Sequence, residues 1–534
     1  MATKGISVIL RAVLAAGLAL FFTVACKGTG GEFTDIGQGF ESNSLHAPWS
    51  GLDNDTHFCC HSTDDRFFFQ FEAVDSTLMV ADPFASERDV DSGDRVEIFF
   101  ASDPELKSPY YCAEIDECGR VMDYKAEFYR KFDFEWNFDT IETFAEITNW
   151  GYRVAGSISR EELNKLGMDL GGGFWFGVFQ GDTGHAGGFT WYSLVPTDDD
   201  KPDFHKSDVF FPCKMNPKKE KRGVVVYPDD ITSIGINKWE KRIDVSGINL
   251  IGLHAATSND PIDTLEAFIK SREGRSFLEL CKRKGVEVEY ELHAAATLLP
   301  RSLYDAHPEY FRQDESGRRV ADYNFCFTSE AALEAMRPQL EKLLEWMKPD
   351  SHRYFLWPDD KEWKYCNCER CKSLSPSEQT LVFENRLLGM LREYDLEATL
   401  AHLAYHQTLP APRKVRAVKG VFLEYAPIMR DYSEPLPETE YTALKDNLLA
   451  FPAYSQHILE YWLDESMNSG WKKTMLKPLA FNGQWCRRDI AMYRGTGAAS
   501  ITNFATWLNA SYESLYGSAL PLFESYGRAA GRLE

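Results

Sequence analysis

Eight short apolar runs recur in the second half of the chain, at 223–227, 248–255, 286–293, 353–359, 398–406, 420–425, 457–463 and 498–504. Stretches with a 3.6-residue hydrophobic period fall between most of them, as at 263–283, 329–347, 377–394 and 437–449. Continuous apolar runs of strand length suit strands covered on both faces. Parallel strands joined by right-handed helical crossovers, repeated to a count of eight, close into a barrel. Residues 223–534 are therefore expected to form a (β/α)8 barrel of TIM type, with a doubly wound open sheet as the competing arrangement.

Chemistry in such a barrel sits at the C-terminal strand ends, and those ends are crowded with polar and aromatic side chains. His254 follows the second run, His293 the third, Asp359 and Asp360 the fourth, and Tyr405 and His406 the fifth. Glu424 and Tyr425 close the sixth; Glu460, Trp462 and Asp464 lie along the seventh; Trp507 follows the eighth. Neighbouring carboxylates push their pKa values apart, which can leave one as proton donor and another as base or nucleophile. Glycosidic bond cleavage needs such a pair. Asp360 is the expected general acid, Glu424 or Glu460 the nucleophile or base, and Asp359 a partner that orients substrate. His254, His293, Tyr405, His406, Tyr425, Trp462, Asp464 and Trp507 are candidate sugar contacts, the aromatic ones as stacking faces. Each has a plainer reading as helix cap, core histidine or interior ion pair.

From 33 to 213 the chain changes character, with aromatic, alternating runs such as VEIFFA, GYRVAGSIS and GFWFGVFQGD separated by Gly, Asp and Pro. Period-two patterning with frequent turns predicts an all-β sandwich. A basic, Pro-containing connector, 214–222, leads into the barrel. At the front, Lys4 and Arg11 precede an apolar stretch that ends at Cys26. This predicts an export signal over 1–25, acylation of Cys26 and a tether over 26–32, so that the protein is held at a bacterial cell envelope, at the outer membrane, by lipid alone. The formal charge of −23 would repel nucleic acid, and the 14% aromatic content suits an oligo- or polysaccharide stacked on ring faces.

Cys366, Cys368 and Cys371 follow the fourth run in C-x-C-x-x-C spacing. Three thiolates there could hold a structural Zn²⁺ if Cys326, Cys486 or a His supplied a fourth ligand, or one pair could form a disulfide. Cys112 and Cys118 flank a hairpin and could also pair. No cofactor is otherwise required.

The run NLIGLH at 249–254, the stretch FCFTS at 325–329, and above all Trp357-Pro358-Asp359-Asp360 with Trp363 and the triple-cysteine cluster resemble the bacterial barrel family catalogued as domain of unknown function 4838. That family's barrel is similar to glycoside hydrolase families 20 and 67. The resemblance implies a hydrolase-type barrel with an adjacent acidic pair, although Asp360 stands where family 20 hexosaminidases carry a Glu proton donor. Cys59-Cys60-His61, DRVEIFF at 94–100, YCAEID at 111–116, GRV at 119–121 and Asp203-Phe204-His205 resemble the family 9-like carbohydrate-binding domain, also a β-sandwich. It implies a sugar gripped by aromatic rings, for which Trp136, Trp175 and Trp191 are available. The resulting expectation is an envelope protein that captures a glycan and hydrolyses it; the alternatives are a non-catalytic capture protein and a structural scaffold.

Overall fold

A computed structural model describes residues 33–42, 44–47, 52–82, 84–184, 188–197, 202–255 and 261–531. The expected signal at 1–25, the acylation site Cys26 and the tether at 26–32 lie outside the described residues.

The N-terminal part is built from two sheets. One is five-stranded and antiparallel, in the order Glu142–Thr148, Gly151–Ser159, Arg66–Val74, His57–Ser62, Phe40–Ser42. The other has ten strands, and Tyr110–Asp116, Arg95–Ala101 and Phe174–Asp182 lie side by side at its centre. The period-two pattern decides which residues meet. In Arg66–Val74, Phe67, Phe69 and Phe71 enter the core between the sheets with Val96, Ile98 and Phe100 of the facing strand. Rings cross the gap directly, with Phe67 edge-on to Phe100 and to Phe176. The alternate residues of the same strand face the second half of the molecule: Gln70 Nε2 donates to Leu449 O at 2.9 Å, and Phe68 stacks on His61, whose Nε2 meets Gly497 O at 2.9 Å. Both faces of the strands Arg66–Val74 and His57–Ser62 are therefore largely buried.

The C-terminal part is a closed parallel barrel of eight strands: Lys221–Val226, Leu250–His254, Glu287–His293, Arg353–Trp357, Thr399–Ala404, Val421–Tyr425, His457–Glu460 and Ser500–Phe504. The first pairs with the eighth, Gly223 opposite Thr502, which excludes the open sheet. The connector is shorter than expected, because Phe211–Lys214 is a strand and the barrel begins at Lys221; Met215 between them is buried in the sandwich core. Helices cover most crossovers, including Glu330–Leu344, Pro376–Leu391 and Glu438–Ala450. The expected helix 263–283 is two, Pro261–Lys270 and Arg272–Lys284, because the Ser271 side chain caps the second by accepting from Gly274 N.

One crossover departs from the (β/α)8 plan. Between the fifth and sixth strands the chain makes only a 3₁₀ turn at His406–Thr408. The segment that follows, 409–420, carries two prolines and four cations, a composition poor in helix signals. Three of the cations meet carboxylates of the five-stranded sheet: Arg413 with Glu146 at 2.8 Å, Arg416 with Glu72 at 2.7 Å and Lys419 with Glu41 at 2.6 Å. The sheet thus lies against this flank, which lacks a crossover helix.

Candidate active site at the barrel mouth

The C-terminal strand ends and the loops beyond them enclose a cavity of about 1050 Å³. Its wall includes Tyr227, His254, His293, Trp357, Asp360, Tyr405, Tyr461, Asp464, Trp471 and Trp507. The lining combines aromatic rings with hydrogen-bonding groups, the mix expected of a small-molecule site.

Two carboxylates stand out on this wall. Asp360 lies three residues past the end of the fourth strand and is exposed. Asp464 lies past the seventh strand and caps the turn Glu465–Asn468. Ser466 N, Ser466 Oγ, Met467 N and Thr506 Oγ1 all donate to its Oδ1, at 2.8, 2.5, 3.2 and 2.6 Å. Among the described residues none donates to Oδ2. Burial raises the Asp464 pKa, and the hydrogen bonds to Oδ1 only partly offset this. Both carboxylates act on the same tyrosines. After burial itself, the negative charges of Asp360 and Asp464 oppose ionisation of Tyr227, Tyr405 and Tyr461, which keeps these phenols as neutral donors.

The two histidines are fixed by backbone carbonyls. His254 Nδ1 lies 2.8 Å from Glu291 O and His293 Nδ1 lies 2.7 Å from Pro358 O. A carbonyl only accepts, so each Nδ1 carries the proton. Burial pushes His254 down to about 3, so it is neutral near pH 7 and its Nε2 is a lone-pair acceptor. His406 lies outside this cavity, in a side niche with Asp360, Tyr405 and Glu362, in left-handed conformation at φ 49°.

Several sequence-based candidates go elsewhere. Asp359 lines the cavity, but Arg301, Asn324 N and Ala296 N all donate to its carboxylate, and Asn324 Oδ1 accepts from Asp359 N at 2.8 Å. This makes it a clasp between the loops after the third and fourth strands. Glu424 points into the barrel and is fully buried beneath the cavity floor, held by Trp357 Nε1 at 2.7 Å. Residues that alternate with inward Phe422 and Glu424 face outward, so Tyr425 packs in the helix layer and donates to Glu440 O at 2.7 Å. Glu460 is outward by the same parity. It accepts from Tyr432 at 2.8 Å and from Tyr493 and pairs with Arg430 at 3.7 Å. Trp462 packs against Tyr526 in the outer core. The nucleophile or base expected at Glu424 or Glu460 therefore does not reach the cavity, nor do Tyr425 and Trp462.

A second, smaller cavity of about 150 Å³ opens on the outer face of the ten-stranded sheet, between Trp191, Phe132, Phe134, Phe204, Tyr124 and Arg130. Below it, Arg95 Nε bridges Glu97 and Glu114 at 3.0 and 2.6 Å, and its guanidinium lies 5.0 Å from the Trp191 ring. Trp175 and Trp136 do not line this cavity. Trp175 packs edge-on to Phe33, and Trp136 packs against Tyr111 and Phe138.

Residues 254–466 match the family described as Domain of unknown function (DUF4838). The matched region runs from the end of the second strand to just past Asp464, so it contains both exposed Asp360 and buried Asp464. Tyr227, Trp471 and Trp507 of the cavity wall lie outside it. No curated protein matches the chain. Similar solved structures include a family 9 carbohydrate-binding module from Caldicellulosiruptor kristjanssonii in complex with cellotriose, at 13% identity and TM-score 0.25, covering 36% of this chain and 92% of the module. A family 5 glycoside hydrolase from Prevotella bryantii is similar at 10% identity and TM-score 0.35, covering 58% and 96%. The tandem family 20 modules of a pneumococcal exo-β-D-N-acetylglucosaminidase are similar at 10% identity and TM-score 0.34, covering 58% and 84%.

Within the matched region, sequence patterning does not single out Arg301, Asp322, Tyr323 and Tyr461, which also line the cavity. Tyr461 is within its reach: counting by twos from inward Leu459 brings it to the cavity and turns Trp462 away. The other three come from the long loop after the third strand, where periodicity carries no signal. The same region brings Cys326 to Cys366, Cys368 and Cys371, the four sulfurs lying within 4.8 Å of one another. Cys112 is buried and Cys118 exposed, and both are free thiols.

Proposed function

We propose that the barrel mouth binds an oligosaccharide and hydrolyses a glycosidic bond, with Asp464 as proton donor and Asp360 as the opposing base or nucleophile. The observation that carries this reading is the unequal pair: two carboxylates past the fourth and seventh strands on one aromatic wall, one buried with a raised pKa and one open to water. A buried carboxyl holds its proton toward neutral pH, which general acid catalysis requires, and an exposed one can take part in attack or activate water. Trp471 and Trp507 supply stacking faces; His254 Nε2 and the neutral Tyr405 and Tyr461 hydroxyls supply edges for sugar hydroxyls. Trp191 and its groove in the sandwich would hold a second stretch of glycan. Lipid attachment through Cys26 would keep the protein at the envelope that glycans reach.

One observation favours binding without cleavage. Asp359 is engaged by Arg301, and Asp322 accepts from Arg312 Nε at 2.7 Å, so two of the cavity carboxylates are already neutralised. Reducing-sugar release from a panel of plant, host and microbial oligosaccharides separates the readings. Cleavage by the parent that falls about 10²-fold or more in Asp464→Asn and in Asp360→Asn is expected for loss of acid or base. Binding to a panel member with no release by any form would leave the capture reading in its place.

A further inference from the structure

We propose that Cys326, Cys366, Cys368 and Cys371 bind one Zn²⁺ ion that staples together two loops of the barrel mouth. The site is independent of the glycosidase reading. Cys326 belongs to the loop after the third strand, and the other three follow the fourth. All four are buried, and they form a cluster with no other apolar residue in it. Five further buried cysteines behave differently: Cys60, Cys112, Cys213, Cys281 and Cys486 sit among aliphatic and aromatic side chains as ordinary small core residues.

The spacing of the sulfurs suits a single tetrahedral ion. Cys326 Sγ lies 3.7 Å from Cys368 Sγ and 3.9 Å from Cys371 Sγ. Four sulfurs at about 2.3 Å from a tetrahedral zinc stand about 3.8 Å apart, whereas a disulfide needs contact near ~2.05 Å. An iron–sulfur cluster would spread its thiolates around several metal atoms; this spacing leaves room for a single ion. Donors also converge on the sulfurs. Gln313 N reaches Cys366 Sγ at 3.3 Å, Arg319 Nη1 reaches it at 3.8 Å, and Thr328 Oγ1 lies 3.2 Å from Cys371 Sγ. Such contacts suit thiolates, and outer contacts of this kind orient metal ligands. Binding converts four thiols to thiolates, releases four protons to solvent and leaves a site of net charge −2 beside the Arg319 guanidinium. The ion would hold the loop that brings Arg301, Asp322 and Tyr323 to the cavity, at a point two residues beyond the Asn324–Asp359 clasp.

Metal analysis of the purified full chain, with thiol titration after unfolding, tests this directly. One zinc per chain is expected, and protein grown in cobalt should show the intense sulfur-to-metal and ligand-field absorption of a tetrahedral tetrathiolate. Cys326→Ser should lose that absorption and the bound metal, and Cys281→Ser should keep both. A metal-free parent protein, a titration four thiols short because two disulfides have formed, or iron in place of zinc would overturn the proposal; these readouts on the parent depend neither on the variants folding nor on glycan cleavage.

Discussion

At the scale of single residues, the proposed role of Asp464 as proton donor can be checked most simply. Its Oδ1 takes four hydrogen bonds, yet burial still raises its pKa. A general acid works in its protonated form, so kcat/KM should fall as pH rises through its pKa, and a raised pKa puts that limb above the usual carboxylate range of about 4. A pH profile on any cleaved substrate reads this out; a basic limb that survives unchanged in Asp464→Asn would assign the proton to another group. Strand-end position in the sequence points to Asp360 as the acid, and residue identity alone does not separate it from Asp464, the donor proposed above. Asp360, Glu424 and Glu460 are equivalent in sequence as strand-end acids, and what separates them is direction. Glu424 is inward but beneath the floor, Glu460 is outward, and Asp360 is beyond the strand and open to water.

At the scale of elements, the clasp between the third and fourth loops sets the cavity wall. Asp359 ties Arg301, Ala296 N and Asn324 N to the fourth strand's end. Asp359→Ala would hand Ala296 N and Arg301 to water and leave the buried Asn324 N unpaired, at a cost of about 1–3 kcal/mol for that one group. The expected result is faster proteolytic nicking within 299–324 and weaker glycan binding, with the global unfolding midpoint little changed. A variant that unfolds as a whole, with no selective nicking, would make Asp359 a general stability residue. The eight strands are legible in the sequence because buried parallel strands are written as continuous apolar runs. Their ends are less so: the fourth, fifth and seventh strands stop two or three residues before the apolar text does. That leaves Trp462 beyond its strand and on the outward side of Tyr461, while Tyr425 ends its own strand and is outward by simple alternation. The missing helix after the fifth strand is written in the prolines and cations of 409–420, but its replacement by a sheet from another part of the chain is a long-range contact that local pattern does not encode.

At the scale of the whole molecule, sandwich and barrel are docked through the outer face of the five-stranded sheet. His61 lies in that interface, fully buried, and burial pushes it down from 6.5 to about 3. The folded chain therefore binds fewer protons there than the unfolded chain between about pH 3 and 6.5. Unfolding takes up a proton in that window, and stability contributed by neutral His61 is present above pH 6.5 and lost as pH falls, by up to about 1.4 kcal/mol per pH unit. His61→Gln, whose amide can still reach Gly497 O, should lose less stability between about pH 7 and 5 than the parent, as read by denaturant unfolding; an equal loss would remove His61 from the acid response. The proposed function rests on whether and where a glycan binds. The most direct test is a crystal structure of the Asp464→Asn protein with an oligosaccharide that the parent cleaves or binds. The expected result is a sugar in the barrel mouth, stacked on Trp471 or Trp507, with a glycosidic oxygen at about 2.6–3.2 Å from the substituted side chain. A sugar held only in the Trp191 groove, with the barrel mouth empty, would contradict it.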